Sequence, residues 1–199
     1  MGLAQRDDQL HTYAEYLTWP DDVRYELIDG VAYLMAPPAP TLDHQDFAGE
    51  IYFQLRQALE GKPCQVYIAP VDVRLPKANE ADELIDTVVQ PDVLVVCDPG
   101  KLDRRRGVRG APDFAVEVLS PSTASHDQVR KRRVYERAGV REYWLVHPTD
   151  RIITIYRLEN GEFGKPDVGE LSGETPVGVL PGIAICWDGL VSRLPRPDW

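Results

Sequence analysis

Phe114-Ala115-Val116-Glu117-Val118-Leu119 is the segment on which the reading of this chain turns. It is short, apolar and partly β-branched, the composition of a strand buried on at least one face. Glu117 is its one charge. A bare carboxylate in an apolar interior costs several kcal/mol, so it must be paired, bound to metal or neutralised. Strand alternation sends Ala115, Glu117 and Leu119 to one face and Phe114, Val116 and Val118 to the other. A second apolar run, Pro91-Asp92-Val93-Leu94-Val95-Val96, opens with another carboxylate. Two acids delivered by two buried strands point to a divalent-metal site. Asp113 shares a face with Glu117 but lies about 13 Å away along the same strand, too far for one ion with ligands at about 2.1 Å. Asp92 sits on a separate strand and can lie beside Glu117 across a sheet.

After the strand, Ser120-Pro121-Ser122-Thr123 breaks the extended run and introduces a helix expected over 125–138, with Gly139 in the position of a C-cap. Asp127, Lys131 and Tyr135 recur at helical spacing and share a face with Val134. If Val134 faces the sheet, Lys131 does too, and its ammonium reaches the space beside Glu117. The same spacing also fits an exposed Asp127–Lys131 pair worth a few tenths of a kcal/mol. Periodicity does not choose between the two.

Toward the N-terminus, a short helix is expected over 12–17, then a hairpin of 25–28 and 31–35 turned by Asp29-Gly30. Pro37, Pro38 and Pro40 punctuate its exit. A helix over 43–59 follows, with His44, Ala48, Ile51, Leu55 and Ala58 on its inner face. One strand is expected over 66–75 and another, apolar enough for a central position, over 88–97. An arginine-rich loop, 100–110, connects to the Glu117 strand; strands at 143–146 and 152–156 and a turn at Asn160-Gly161 come after it. The order helix, three strands, helix, two strands describes a mixed α/β sheet with flanking helices, an N-terminal hairpin and a C-terminal β extension.

The chain has 199 residues, 43% hydrophobic and 27% charged, which suits one globular domain. No apolar run has the length of a membrane span, and the first eight residues lack the apolar core of a signal peptide. Cys64, Cys97 and Cys186 are odd in number and far apart, with no zinc-type pair and no evident disulfide framework, so a cytoplasmic protein is expected. A net charge of −10 argues against a non-specific nucleic-acid coat, though not against a nuclease, where local charge decides. Arg104-Arg105-Arg106 with Arg109 is read as solvated loop; Arg130-Lys131-Arg132-Arg133 flanks the candidate site. No nucleophile elbow, phosphate-binding glycine loop or dinucleotide fingerprint is present. Two carboxylates and a lysine suit phosphodiester hydrolysis with Mg²⁺ or Mn²⁺.

Taken in order, Tyr25-Glu26-Leu27-Ile28-Asp29-Gly30, Pro91-Asp92-Val93, Val116-Glu117-Val118-Leu119-Ser120-Pro121-Ser122-Thr123, Asp127…Lys131…Tyr135 and Gly139-Val140-Arg141-Glu142-Tyr143-Trp144-Leu145-Val146 resemble the Uma2 family of restriction-endonuclease-like proteins. The likeness runs over about 12–189. It implies a PD-(D/E)XK nuclease fold over 1–199, with helix and hairpin in 9–36, the core in about 41–158 and the β extension in 159–199. It also implies a bacterial intracellular setting, DNA as substrate and homodimers. Asp92 and Glu117 match the two metal acids. The lysine expected two residues after the glutamate is absent, since Leu119 stands there, and Lys131 is the match displaced onto the helix. Glu26 and His44 match positions that approach the same site; Asp127 holds Lys131, and Asp72 is a weaker candidate. Tyr143 and Trp144 are read as core or interface. Two further readings stand beside the endonuclease: a non-catalytic nuclease fold used for dimerisation or binding, and a metal-dependent phosphodiesterase acting on a small nucleotide.

Overall fold

The computed structural model describes residues 9–20, 22–35, 41–120 and 124–194. The expectations for the first eight residues, for Pro37, Pro38 and Pro40, and for Pro121-Ser122-Thr123 lie outside them. Helix α1 (Tyr13–Tyr16) is followed by the hairpin β1 (Tyr25–Ile28) and β2 (Val31–Leu34). Asp29 and Gly30 turn it, both at positive φ. Helix α2 (Leu42–Ala58) buries Phe47, Ala48, Ile51 and Leu55; Phe47 joins the expected inner face, while His44 stands at its rim.

The two long apolar runs do not form two strands. The first divides into β3 (Gln65–Ile68) and β4 (Val73–Arg74), the second into β5 (Val88–Val89) and β6 (Val93–Val96). The physical reason lies at the breaks, Ala69-Pro70 and Gln90-Pro91: proline has no N–H for a ladder. Each half then enters a different sheet. β4 and β5 belong to the sheet ordered β2-β1-β5-β4-β8-β7, where β7 (Leu102–Asp103) and β8 (Gly107–Arg109) replace part of the expected arginine loop. β3 and β6 belong to the sheet that carries β9 (Phe114–Val118), β10 (Glu142–His147), β11 (Ile152–Glu159) and β12 (Glu162–Phe163), ordered β12-β11-β10-β9-β6-β3. β13 (Asp167–Glu170) pairs with β11, and β14 (Glu174–Pro176) pairs with β15 (Ala184–Cys186) before the short α4 (Asp188–Val191).

β9 runs antiparallel to β6 and parallel to β10. A parallel pair needs a crossover, here the helical segment after β9. It opens as a π-helical turn, His126–Lys131, and continues as α3 (Arg132–Ala138), which Gly139 ends in the left-handed conformation. The second sheet is thus covered on both faces. Phe114, Val116 and Val118 pack with Phe47, Ile51 and Leu55 of α2, and Ala115 and Leu119 pack with Val134 and Tyr135 of α3. That is the alternation expected of the Glu117 strand. Tyr143 and Trp144 are fully buried core residues.

One cysteine expectation is corrected. Cys64 and Cys97 form a disulfide. Gln65 pairs with Val96 in the β3–β6 ladder, so the residues just beyond that pair are Cys64 and Cys97. Their 33-residue separation in sequence hid a contact made by sheet register. A disulfide also removes the ground on which a reducing compartment was expected. Among the described residues no helix is long and apolar enough to cross a membrane.

Reducing the Cys64–Cys97 bond, or replacing both cysteines by serine, should cost about 2–4 kcal/mol, the usual contribution of a bond closing a loop of this length. Urea denaturation with and without dithiothreitol checks this; coincident curves would show that the bond does not contribute to stability.

Candidate functional site

The site forms where the second sheet, the first sheet and the crossover helix meet. The β6–β9 register pairs Val93 with Val116 and Leu94 with Ala115; continued by one residue, it sets Asp92 across from Glu117. Opposed residues of an antiparallel pair present their side chains on one face. The carboxylate of Asp92 also stands in for a ladder carbonyl, since its Oδ2 accepts the Val118 N–H at 2.7 Å. The same oxygen lies 3.1 Å from His44 Nε2. Asp113, the rejected partner, is occupied elsewhere: Oδ2 accepts the Cys97 N–H at 2.8 Å and Oδ1 meets Arg141 at 3.3 Å.

Lys131 is the centre of the cluster. Its Nζ lies 2.8 Å from Glu26 Oε1, 2.9 Å from Glu117 Oε1 and 3.5 Å from Asp127 Oδ1, and 3.4 Å from the Gln90 carbonyl. Relative exposures of 1% for Lys131, 0% for Glu26 and 2% for Glu117 rule out the exposed surface pair. Tyr135 donates to Glu117 Oε1 at 2.8 Å. Glu26 takes two more contacts, His126 Nε2 at 2.8 Å and the Gln90 N–H at 2.7 Å.

The π turn explains how one helix delivers these groups. In an α-helix, residues five apart diverge by about 140°. In a π turn, whose hydrogen bonds run from i to i+5, they stand nearly one above the other. His126, Asp127 and Lys131 can therefore all turn inward, and all three are buried.

The carboxylates respond to burial differently. Burial pushes Glu26 up, but Lys131 and His126 outweigh it and hold the group down at about 2. Burial pushes Glu117 well above the ordinary carboxylate range; Lys131 opposes this, while Asp127, Asp92 and Glu26 add to the rise. The difference follows the donors: Glu26 has Lys131, His126 and a backbone N–H, whereas Glu117 shares Lys131 and has a phenol. Asp127 is also raised, first by burial. Burial disfavours the Lys131 ammonium, but Glu117, Glu26 and Asp127 prevail and keep it well above the ordinary lysine value. His44 is raised, because Asp92 outweighs the opposing effect of burial.

Among the described residues no three His, Cys, Asp or Glu side chains are grouped to hold an ion, so a closed zinc or calcium cage is not formed. The donors that do face each other, Asp92 and Glu117, are two hard carboxylates. Such a pair fits Mg²⁺ or Mn²⁺, which bind through one or two carboxylates, retain waters and take substrate oxygens. Lys131 and Tyr135 both bond Glu117 through Oε1, and Val118 N and His44 both bond Asp92 through Oδ2.

The structure thus brings Asp92, Glu117, Lys131, Glu26, His44 and Asp127 into one connected cluster. Asp72 is not in contact with Lys131. Its Oδ1 accepts from Tyr16 at 2.9 Å and from Gln90 Nε2 at 2.8 Å, and Gln90 joins it to the cluster. Gln90, Tyr135 and His126 received no role from sequence. Tyr135 carried a signal, its helical spacing from Lys131; Gln90 stood beside a strand-breaking proline; His126 carried none, because the π turn is not visible in periodicity.

A mixed α/β structure with this topology is a restriction-endonuclease-like fold. The chain belongs to the Uma2 family, described as "Putative restriction endonuclease", whose model matches residues 13–187. It is 30% identical over 145 residues to an uncharacterized protein of Synechocystis sp. (strain PCC 6803), covering 71% of each chain. A solved structure from Anabaena variabilis ATCC 29413, described as "a putative nuclease belonging to DUF820", superposes with a TM-score of 0.70 at 18% identity, over 91% of this chain and 97% of that one.

The different shifts at Glu26 and Glu117 give different expectations for their amides in metal-free buffer. Glu26→Gln removes two charge-assisted hydrogen bonds and should cost about 3 kcal/mol. Glu117→Gln keeps an acceptor for Lys131 and Tyr135 at a site where burial disfavours the charge, so it should cost less than Glu26→Gln. The Glu26 contribution is complete above the ordinary glutamate range and is lost as pH falls toward about 2. Glu26→Gln should accordingly flatten the acid limb of a pH–stability profile. Equal losses in both amides would show that the two groups are not differentiated.

Proposed function

We propose that this protein is a metal-dependent endonuclease that hydrolyses DNA phosphodiester bonds at Asp92, Glu117 and Lys131. The observation that carries the reading is the sheet register that opposes Asp92 to Glu117, with the Lys131 ammonium 2.9 Å from the latter. Charge counting supports it. Glu26, Glu117, Asp127 and Asp92 converge around one lysine, so the cluster is rich in anionic oxygen and suited to a divalent cation. The family description and the fold point the same way.

Asp92 and Glu117 would hold Mg²⁺ or Mn²⁺. A bound ion there supplies Lewis-acid polarisation of a phosphate oxygen and a water of lowered pKa. The remaining work belongs to the side chains. Lys131 stays an ammonium under its carboxylate neighbours, so it offsets charge developing on the phosphoryl group rather than taking a proton. Glu26, itself held by His126, fixes Lys131, and Tyr135 fixes the Glu117 carboxylate. His44 does the same for Asp92. The leucine at position 119 is then no obstacle, because what the chemistry needs is the place of the ammonium and not its address in sequence.

One feature favours a second reading, a nuclease fold used only for binding: the Lys131 ammonium is already held by two carboxylates at 2.8 and 2.9 Å. Metal separates the two. At a hundredfold excess over Kd, an ion bound to the folded state alone adds about 2.7 kcal/mol, so saturating Mg²⁺ or Mn²⁺ should raise Tm by several degrees, and Asp92→Asn should abolish the rise.

In a cleavage assay on supercoiled plasmid and on oligonucleotides, Asp92→Ala and Glu117→Ala should each lose at least about 100-fold in rate, with circular dichroism unchanged. Cleavage that survives both substitutions would place the chemistry elsewhere, and cleavage of cyclic nucleotides but not of DNA would favour a small-nucleotide phosphodiesterase.

A further inference from the structure

Beside the carboxylate–lysine cluster the protein has an open groove of about 590 Å³, within the usual range for a small-ligand site. One wall is aromatic. Tyr16, Trp19 and Tyr25 line it, with ring centroids 5.4 Å apart for Tyr16–Trp19 and 4.8 Å for Trp19–Tyr25. The turn between β7 and β8 lines the groove as well, and Arg104, Arg105 and Arg106 are exposed there. The floor is polar and fixed. Asp72 Oδ1 accepts from both Tyr16 and Gln90, and Gln90 Oε1 accepts twice from Arg24, at 3.1 and 2.8 Å.

Three observations say what this groove is built for. The first is charge: four arginines face two carboxylates, Asp72 and Asp103, in a chain whose net charge is −10. A cationic wall on an anionic protein selects for phosphate.

The second is preorganisation. Asp103 Oδ1 accepts the backbone N–H groups of Arg105 and Arg106 at 2.9 and 3.2 Å, which holds the turn from inside. Gly107 lets the turn lie against β4: a Cβ there would stand 2.3 Å from the Asp72 carbonyl oxygen, and its φ is +82°. The arginine turn, read from sequence as solvated loop, is therefore a fixed edge of a groove.

The third is continuity. Gln90, which anchors the groove floor, gives its backbone N–H to Glu26 and its carbonyl to Lys131. One residue thus joins the groove to the cluster.

Aromatic rings and arginines together select an unpaired strand. A duplex offers its phosphates outside and keeps its base faces stacked within, so rings in a groove have nothing to stack on. An unpaired base has a free π-face, and stacking on aromatic side chains with a cationic wall along the backbone is how single strands are held. We propose that this groove binds an unpaired stretch of nucleic acid beside the scissile bond, with bases stacked on the Tyr16–Trp19–Tyr25 wall and phosphates along Arg104–Arg106. This deepens the nuclease reading and rests on it for the class of substrate, which becomes a single strand or a single-stranded branch.

The test is fluorescence anisotropy on the full chain in EDTA, so that binding is read without cleavage. The probes are a labelled single-stranded oligonucleotide, the matching blunt duplex and a labelled mononucleotide. The single strand should bind at least about tenfold more tightly than either of the others. Arg105→Ala/Arg106→Ala, at exposed positions that do not endanger the fold, should weaken it about tenfold or more and lower the salt slope by about 0.7 for each phosphate that is no longer neutralised. Trp19→Leu should weaken it comparably, while Trp19→Phe keeps most of the affinity. Duplex binding as tight as the single strand, mononucleotide binding as tight as the oligonucleotide, an arginine variant that binds like wild type, or no binding at all would each overturn the proposal. The two readings fail separately. Tight single-strand binding in EDTA with no cleavage in Mg²⁺ keeps the groove and removes the nuclease; duplex cleavage at full rate by the arginine variant does the reverse.

Discussion

An ammonium with almost no access to water can exist only inside a nearly complete shell of acceptors, and Lys131 sets that requirement for this protein. Its acceptors come from separate places: Glu26 on β1, Glu117 on β9, Asp127 one helical turn back, and the Gln90 carbonyl between β5 and β6. Burying ions costs several kcal/mol each and is offset only when geometry is good and the remaining hydrogen bonds are made. The position of the crossover helix relative to both sheets is therefore tightly limited. A small shift would leave one carboxylate unpaired in an apolar surround. The π turn is part of the same constraint, because ordinary helical geometry would turn His126 away from Glu26.

The cluster holds more carboxyl groups than cationic ones, and the surrounding structure treats those carboxyls unevenly. Glu26 collects the lysine, an imidazole and a backbone N–H, and stays ionised. Glu117 has fewer donors and more anionic neighbours, and burial raises it. Of these two carboxylates, the less committed is thus the one opposed to Asp92. That is a sensible arrangement for a ligand: a group whose charge is already fully compensated has little left to offer a cation, whereas Glu117 gains from one. It also separates two kinds of acid in one site, Glu26 as a structural counter-ion and Glu117 as the proposed metal ligand.

How much of this was legible in sequence depends on the range of the signal. Side-chain parity in Ala115-Glu117-Leu119 was legible, since a strand has a period of two whatever surrounds it. The shared face of Val134 and Lys131 was legible for the corresponding reason in a helix. The choice of Asp92 over Asp113 followed from chain geometry alone. What was missed depends on where the chain goes next. Residues 66–75 and 88–97 are apolar on both sides of their breaks, so hydrophobicity did not show that each run serves two sheets, although Pro70 and Pro91 were there to be weighed more heavily. Cys64 and Cys97 meet through a register that no spacing rule reports. The arginine turn looked like loop because its anchors, Asp103 backbone contacts and the close approach at Gly107, are made in three dimensions.

The breaks that interrupt the two strands are also what places the polar cluster. A regular strand through Gln90 and Asp92 would commit its backbone groups to neighbouring ladders and send alternate side chains into apolar layers. Interrupted at Pro91, the chain instead frees the Gln90 N–H and carbonyl for Glu26 and Lys131, and lets the Asp92 carboxylate take the Val118 N–H in place of a ladder carbonyl. Pro70 does the same on the adjoining run, leaving Asp72 at the groove floor rather than within a sheet. Polar groups at the seam are thereby satisfied by one another, and the sheets on either side hold them still. Such a seam is a place where a buried site can be polar without being unstable, and here one residue, Gln90, joins the carboxylate–lysine cluster to the groove. Local departures from regular structure concentrate at functional sites because they free backbone and side-chain groups that regular structure would consume. Here the departure is two prolines, and the carboxylate–lysine cluster lies at the seam they create.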